Sequence, residues 1–180
     1  RSNYFMPISP RLGAEAAAAN MAEFKPRYTP QEALIEANRC LFCFDAPCIQ
    51  ACPTGIDIPS FIKKIATGNL TGAARTILTA NVLGASCARV CPTSVLCEGA
   101  CVMLDREGDP VKIGRLQRFA TDHVTEKKIS VLKAPTKKTG KRVAIIGGGP
   151  AGLGCAAELA QLGHSPVVFE KKPKAGGLNT

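Results

Sequence analysis

The sequence predicts a mainly α-helical protein in two parts: a cysteine-bearing helical domain, then the opening strand-helix-strand unit of an α/β domain. Three observations predict it. Before residue 140 apolar residues recur at helical spacing and never alternate with period two. Eight of the nine cysteines fall in two tight groups between residues 40 and 101. From residue 142 the pattern switches to a β-branched run, a glycine-rich turn and an Ala-rich helix.

Residues 1–28 read as an arm that packs on a neighbour, with Pro7, Pro10 and Pro26 interrupting any long helix. Thr29-Pro30-Gln31-Glu32 is a helix start, because Thr caps, Pro suits the first helical position and Glu follows the cap by three residues. That helix runs to about Arg39 and delivers the chain to the first cysteine. A second helix is expected over 59–67, with Phe61, Ile62 and Ile65 on one face and Gly68 ending it. A third covers about 71–79, with Ala74, Ile77 and Leu78 inward, and a fourth about 114–125, with Leu116, Phe119, Ala120 and Val124 inward. The helical domain therefore spans 29–126, a linker 127–141, and a partial α/β unit 142–180. In that unit Arg142 to Ile146 is a strand, Pro150 to Leu162 a helix, and Pro166 to Phe169 a second strand. About 40 residues are too few to complete a doubly wound sheet, so a truncated domain is expected.

Composition narrows the function classes. The 180 residues are 46% hydrophobic, an ordinary globular fraction. No stretch approaches the ~20 uninterrupted apolar residues of a membrane helix, and no secretory signal opens the chain. A cytoplasmic protein without a membrane partner is expected. Nine cysteines fit a disulfide framework poorly, whereas clustered cysteines in a reducing compartment bind metal or do redox chemistry. The net charge of +9 is local: residues 1–126 hold 13 Lys/Arg against 12 Asp/Glu, residues 127–142 hold seven and no acid, and residues 143–180 hold three against two. The segment lacks interleaved aromatics, so it reads as a solvated linker, no nucleic-acid partner is expected, and attraction to an acidic redox partner is the lesser reading.

The first cysteine group is Cys40-x2-Cys43-x4-Cys48-x3-Cys52-Pro53, and the second Cys87-x3-Cys91-Pro92-x5-Cys97-x3-Cys101. Short spacings let one loop wrap a cluster while its amides point at the sulfurs. Zinc is the chief competitor, but structural zinc sites use two CxxC knuckles and only Cys40/Cys43 has that spacing. In bacterial ferredoxins the last cysteine of a run ending in Cys-Pro serves the other cluster. Applied here, Cys52 crosses over and a late cysteine returns, which suggests two interleaved 4Fe-4S clusters. Cys40, Cys43, Cys48 and Cys101 hold the first; Cys52, Cys91 and Cys97 hold the second, its fourth ligand open between Cys87 and a non-cysteine. Arg89 and Arg115 sit beside these ligands, where they offset cluster charge or lie on the surface. Cys155, among Ala and Leu of the later helix, reads as a small buried hydrophobe, and neither His123 nor His164 has partners at metal spacing.

The run Val143 to Gly152 places GxGxxG between a strand and a helix. Gly147 serves the tight turn, Gly149 close approach to a pyrophosphate and Gly152 the packing of helix on strand, with phosphates at the Pro150-Ala151 helix start. Glu170 follows Gly152 by 18 residues, which fits the acid that binds a ribose 2′-hydroxyl and disfavours a 2′-phosphate, and Gly176-Gly177-Leu178 adds a second close-approach site.

Together the runs RCLFCFDAPCIQACPTGIDIPSFI, GASCARVCPTSVLCEGAC, VKIGRLQRFATD, KRVAIIGGGPAGLGCAAELAQLGH and FEKKPKAGGL resemble the N-terminal part of the dihydropyrimidine dehydrogenases, most nearly the small flavin and iron-sulfur subunit of the bacterial NAD-dependent enzymes. Glutamate synthase small subunits and ferredoxin transhydrogenase subunits share the plan. The resemblance covers about residues 29–178. It implies an α-helical ferredoxin-like domain with two 4Fe-4S clusters, then the first βαβ unit of a truncated Rossmann-like FAD-binding domain. It also implies that Gln117 completes the second cluster, so that Cys87 is not a ligand. The chain is then the electron-transfer portion of an oxidoreductase in which NAD(P)H reduces FAD and electrons leave toward an FMN-containing catalytic domain or subunit. No catalytic residue is expected in this chain, a homo-oligomer stays open, and the fragment alone should be inactive. A glutamate synthase-type or transhydrogenase-type electron-input module is the nearer alternative, and a zinc-stabilised interaction module the alternative of another class.

Overall fold

The computed structural model describes residues 13–21 and 23–179. The chain forms α1 (Ala14–Asn20), α2 (Pro30–Asn38), α3 (Pro47–Gln50), α4 (Ile58–Ala66), α5 (Leu70–Ala80), α6 (Gly84–Val90), α7 (Val102–Glu107) and α8 (Ile113–Glu126), then β1 (Arg142–Ile146), α9 (Pro150–Gln161) and β2 (Ser165–Phe169). The capping box is present: the Thr29 hydroxyl accepts the Glu32 amide at 3.3 Å and the Glu32 carboxylate accepts the Thr29 amide at 2.8 Å. Asp57 and Asn69 cap α4 and α5 through their side chains. The expected helices sit within a residue or so of their predicted ends. The short α3, α6 and α7 were not anticipated, because four to seven residues carry too few apolar positions to display a period.

Phe61, Ile62 and Ile65 of α4 meet Ala73, Ala74 and Ile77 of α5, Leu116, Ala120 and Val124 of α8, and Ala33 and Ala37 of α2 in one core. The alanines are fully buried and let the helix axes approach. At the start of α6 a Cβ on Gly84 would lie 2.5 Å from Ile77 Cγ2, so only glycine lets α6 cross there.

Helix α8 is the longest element and is fastened at both ends. At its start the Glu36 carboxylate from α2 accepts the Lys112 amide, and the Glu98 carboxylate accepts the Gly114 amide, each at 2.8 Å. Negative charge at otherwise unpaired amides is favourable there. Toward its end the nearly buried Asp122 accepts from Arg27 at 3.1 Å, Arg118 at 3.2 Å and Arg89 at 2.7 Å. Arg118 also bonds both Glu23 carboxylate oxygens and the Lys25 carbonyl.

Residues 23–28 of the expected arm thus pack on the helical domain of their own chain, and Arg115 lies over the Tyr28 ring, 3.7 Å from its centroid. Arg89 and Arg115 are consequently spent on structure. Residues 1–12 lie outside the described residues. In the linker, Ile129, Val131 and Leu132 dock against the core, while every residue from Lys133 to Arg142 is exposed.

Strands β1 and β2 pair in parallel, Arg142 opposite Ser165 and Ile146 opposite Phe169, with α9 as the crossover. Among the described residues α9 has no fully buried side chain, and Cys155 is exposed. The expectation of a buried Cys155 is therefore corrected: a two-stranded sheet covers too little of the helix to enclose it. No helix among the described residues is long and apolar enough to cross a membrane.

The arginines around Asp122 outweigh its burial and hold its carboxyl below the usual carboxylate range. A carboxyl depressed on folding contributes stability that is complete above its unfolded pKa of about 3.9 and is lost as pH falls through the lower folded value. The Asp122 contribution to thermal melting should therefore be level above about pH 5 and fall below about pH 4. Asp122→Asn should cost about 2–3 kcal/mol near neutrality and weaken that acid dependence, as read by melting temperature against pH.

Candidate functional site

Cys40 follows α2, Cys43 lies in the turn beyond it, Cys48 lies in α3 and Cys101 precedes α7. These four line one cavity, walled by Ile58 and Ile62 of α4 and by Met103, Val111 and Ile113. All nine cysteines carry free thiols. Among the described residues no three His, Cys, Asp or Glu side chains converge as a single metal ion would require. Thiolates are the ligands of structural zinc and of iron-sulfur clusters alike.

The turn carrying them is shaped by Phe42, whose φ of +52° is left-handed, an uncommon region for a bulky residue. Its ring packs against the core, and the Lys63 ammonium lies 4.6 Å from its centroid. The Phe42 amide faces the Cys40 sulfur.

The second set gathers Cys52, Cys91 and Cys97, which lie within electrostatic reach of one another, with Cys87 in reach of Cys91. Cys91 ends α6, and Cys97 is the most buried thiol. The Cys87 sulfur accepts a hydrogen bond from Asn81 Nδ2 at 3.1 Å. Gln117, buried in α8, donates from Nε2 to the Gly84 carbonyl at 2.8 Å, and so bonds the start of α6 rather than a cysteine. Its carbonyl oxygen is the atom left for coordination.

Burial pushes the Cys48 and Cys97 thiols up to about 12 and raises those of Cys40 and Cys91. Cys52 is lowered: burial opposes this, but the Thr54 hydroxyl and the amides of Ile56, Thr54 and Gly55 outweigh it. The apoprotein thus keeps most of these sulfurs as neutral thiols. A positive metal centre must replace their protons, so loading releases protons and strengthens as pH rises.

In the βαβ unit Gly147 has φ +98° and donates to the Phe169 carbonyl at 2.8 Å. A Cβ on Gly152 would lie 2.0 Å from the Gly147 oxygen, whereas one on Gly149 meets nothing within 4 Å. Gly152 is thus required by the fold. At Gly149 the fold makes no such demand, and its missing side chain leaves open space beside the start of α9, where Pro150 and Ala151 are exposed. Glu170 stands at the end of β2, and its carboxylate accepts the Gly148 amide at 2.7 Å and the Lys172 amide at 2.9 Å. These amides lower its pKa. The Gly176 amide donates to the Gly148 carbonyl at 2.7 Å, and a Cβ on Gly177 would lie 3.0 Å from Gly149 Cα, so this segment folds back onto the turn, with Leu178 exposed beyond it. The clasp of Glu170 on Gly148 was not anticipated; an acid closing a glycine-rich turn is its only sequence signal.

Residues 17–129 match the family described as dihydropyrimidine dehydrogenase domain II, 4Fe-4S cluster, and residues 145–180 match the NAD(P)-binding Rossmann-like domain. The chain is 48% identical over 157 residues to the Salmonella typhi NAD-dependent dihydropyrimidine dehydrogenase subunit PreT homolog, covering 86% of this chain and 37% of that protein. It is 46% identical over 155 residues to the PreT subunit of Escherichia coli K12, with the same coverage. The chain thus spans little more than a third of the length of these curated relatives.

Gly152→Ala should destabilise the βαβ unit by about 1–3 kcal/mol, whereas Gly149→Ala should leave its stability unchanged. Limited proteolysis across a urea series, followed by mass analysis of cuts after residue 142, distinguishes the two.

Proposed function

The chain belongs to the dihydropyrimidine dehydrogenase domain II, 4Fe-4S cluster family, and on that premise we propose that it is the electron-transfer portion of an NAD(P)H-dependent flavin and iron-sulfur oxidoreductase acting in pyrimidine reduction. Cys40, Cys43, Cys48 and Cys101 hold one 4Fe-4S cluster; Cys52, Cys91, Cys97 and Gln117 hold the other. The observation that carries this reading is the single cavity shared by the first four thiols, drawn from opposite ends of the cysteine sequence.

When bound, the flavin takes up the electron pair of a hydride and the clusters pass single electrons onward. The residues prepare each site. Apolar walls exclude water from the first cysteine set, and backbone amides aimed at the sulfurs disperse the charge that ligation leaves on them. Gly149 lets backbone approach the FAD pyrophosphate, on a turn made by Gly147 and packed through Gly152, with the Pro150-Ala151 helix start and Gly177-Leu178 beside it. Glu170 is the ribose acid, its carboxylate already oriented by the Gly148 amide.

The acceptor is an FMN-containing catalytic subunit. In support, the relatives are named as dehydrogenase subunits. Leu41 and Phe44, in the loop of the first set, are exposed, Phe44 fully, as a surface that receives an electron-transfer partner requires.

Anaerobically prepared protein tests the assignment. EPR of the reduced chain should show Gln117→Ala altering one cluster signal and leaving the other, and Cys87→Ala altering neither. Loss of a cluster in Cys87→Ala contradicts the ligand set.

A further inference from the structure

Lys25 is 9% exposed, and its ammonium donates to the Cys91 carbonyl at 2.7 Å. It lies in the notch above Gly114, where an added Cβ would come within 3.0 Å of it. Among the described residues Lys25 forms no ion pair, whereas Arg27, Arg39, Arg89, Lys112 and Arg118 each meet a carboxylate. The Glu98 carboxylate shares this notch but is committed to the Gly114 amide and makes no ion pair with Lys25, so the buried ammonium is incompletely compensated. Once ligated to a cluster, the sulfurs of the second set, that of Cys91 among them, would add the negative charge this ammonium lacks. Beside the first set, Arg39 is taken up by Glu36, Glu107 and Asp109, and Lys63 is directed at the Phe42 ring.

We propose that Lys25 is a positioning residue for electron transfer, whose ammonium on the Cys91 turn makes the second cluster easier to reduce than it would otherwise be. The inference rests on the two-cluster reading above. A reduced cluster carries one more negative charge than an oxidised one, and a fixed cation held near it in a water-poor site stabilises the reduced form. Residues 23–28 gain a purpose beyond packing: the clasp of Arg27 and Arg118 on Asp122 and Glu23 holds Lys25 in place. Gly114 contributes by leaving the room that the ammonium occupies.

The test is a potentiometric titration of anaerobically reconstituted chain, each cluster followed by EPR and iron counted in parallel. Lys25→Met should move the midpoint of the second cluster to more negative potential and leave the first unmoved. Lys25→Arg, which keeps the charge, should restore it. Gly114→Ala, which crowds the ammonium, should shift the same cluster in the same direction by less, and decides the matter if Lys25→Met fails to load. Wild-type protein that binds fewer than about eight irons overturns the two-cluster reading itself. Full iron with an unmoved second midpoint in Lys25→Met, or equal shifts of both clusters, overturns the role of Lys25 alone.

Discussion

Asp122 is a carboxylate almost closed to water and held by three arginines from three parts of the chain. Breaking a buried charge network is far costlier than its net contribution, because the groups left behind keep their desolvation penalty. The network therefore acts as a fixed joint. Through Arg89 it clamps α6 to α8, which sets Cys91 and Gln117 on adjoining helices; through Arg27 and Arg118 it seats residues 23–28 against the Cys91 turn. At the other end of α8, Glu36 and Glu98 tie in the helix that delivers Cys40 and the loop that carries Cys97. One helix thus orders the elements bearing both cysteine sets.

The sulfurs impose a second constraint. Four partly buried thiols around a cavity need a scaffold that keeps them apart, and burial raises the thiols of Cys48 in this set and Cys97 in the other. Such a site favours neutral thiols until positive charge arrives. Backbone amides at Cys40, Cys48 and Cys52 offset part of that cost. The left-handed Phe42 is the local distortion this arrangement requires, held by core packing and by Lys63.

Much of this was legible in the sequence because the features are local. A capping box is a four-residue pattern, and Thr29 with Glu32 form it as read. Gly147 and Gly152 were readable because a tight strand-to-helix turn has few solutions. The joint at Asp122 was not, since its partners lie up to 95 residues away and nothing in Arg27 or Arg89 marks a destination. The short helix α6 was hidden for the opposite reason: its position depends on Gly84 fitting against Ile77, a tertiary fact. Cys155 was misread as buried because its Ala-rich surroundings signal burial only where something covers the helix.

The proposed ligand set calls for two iron-sulfur clusters rather than zinc. Mössbauer spectroscopy of iron-57-labelled chain, prepared without oxygen and paired with elemental analysis, tests it most directly. About eight irons per chain in two 4Fe-4S sites, one distinguished by a non-thiolate ligand, and no stoichiometric zinc are expected. Colourless protein with two tightly bound zinc ions and no cluster iron would contradict that assignment.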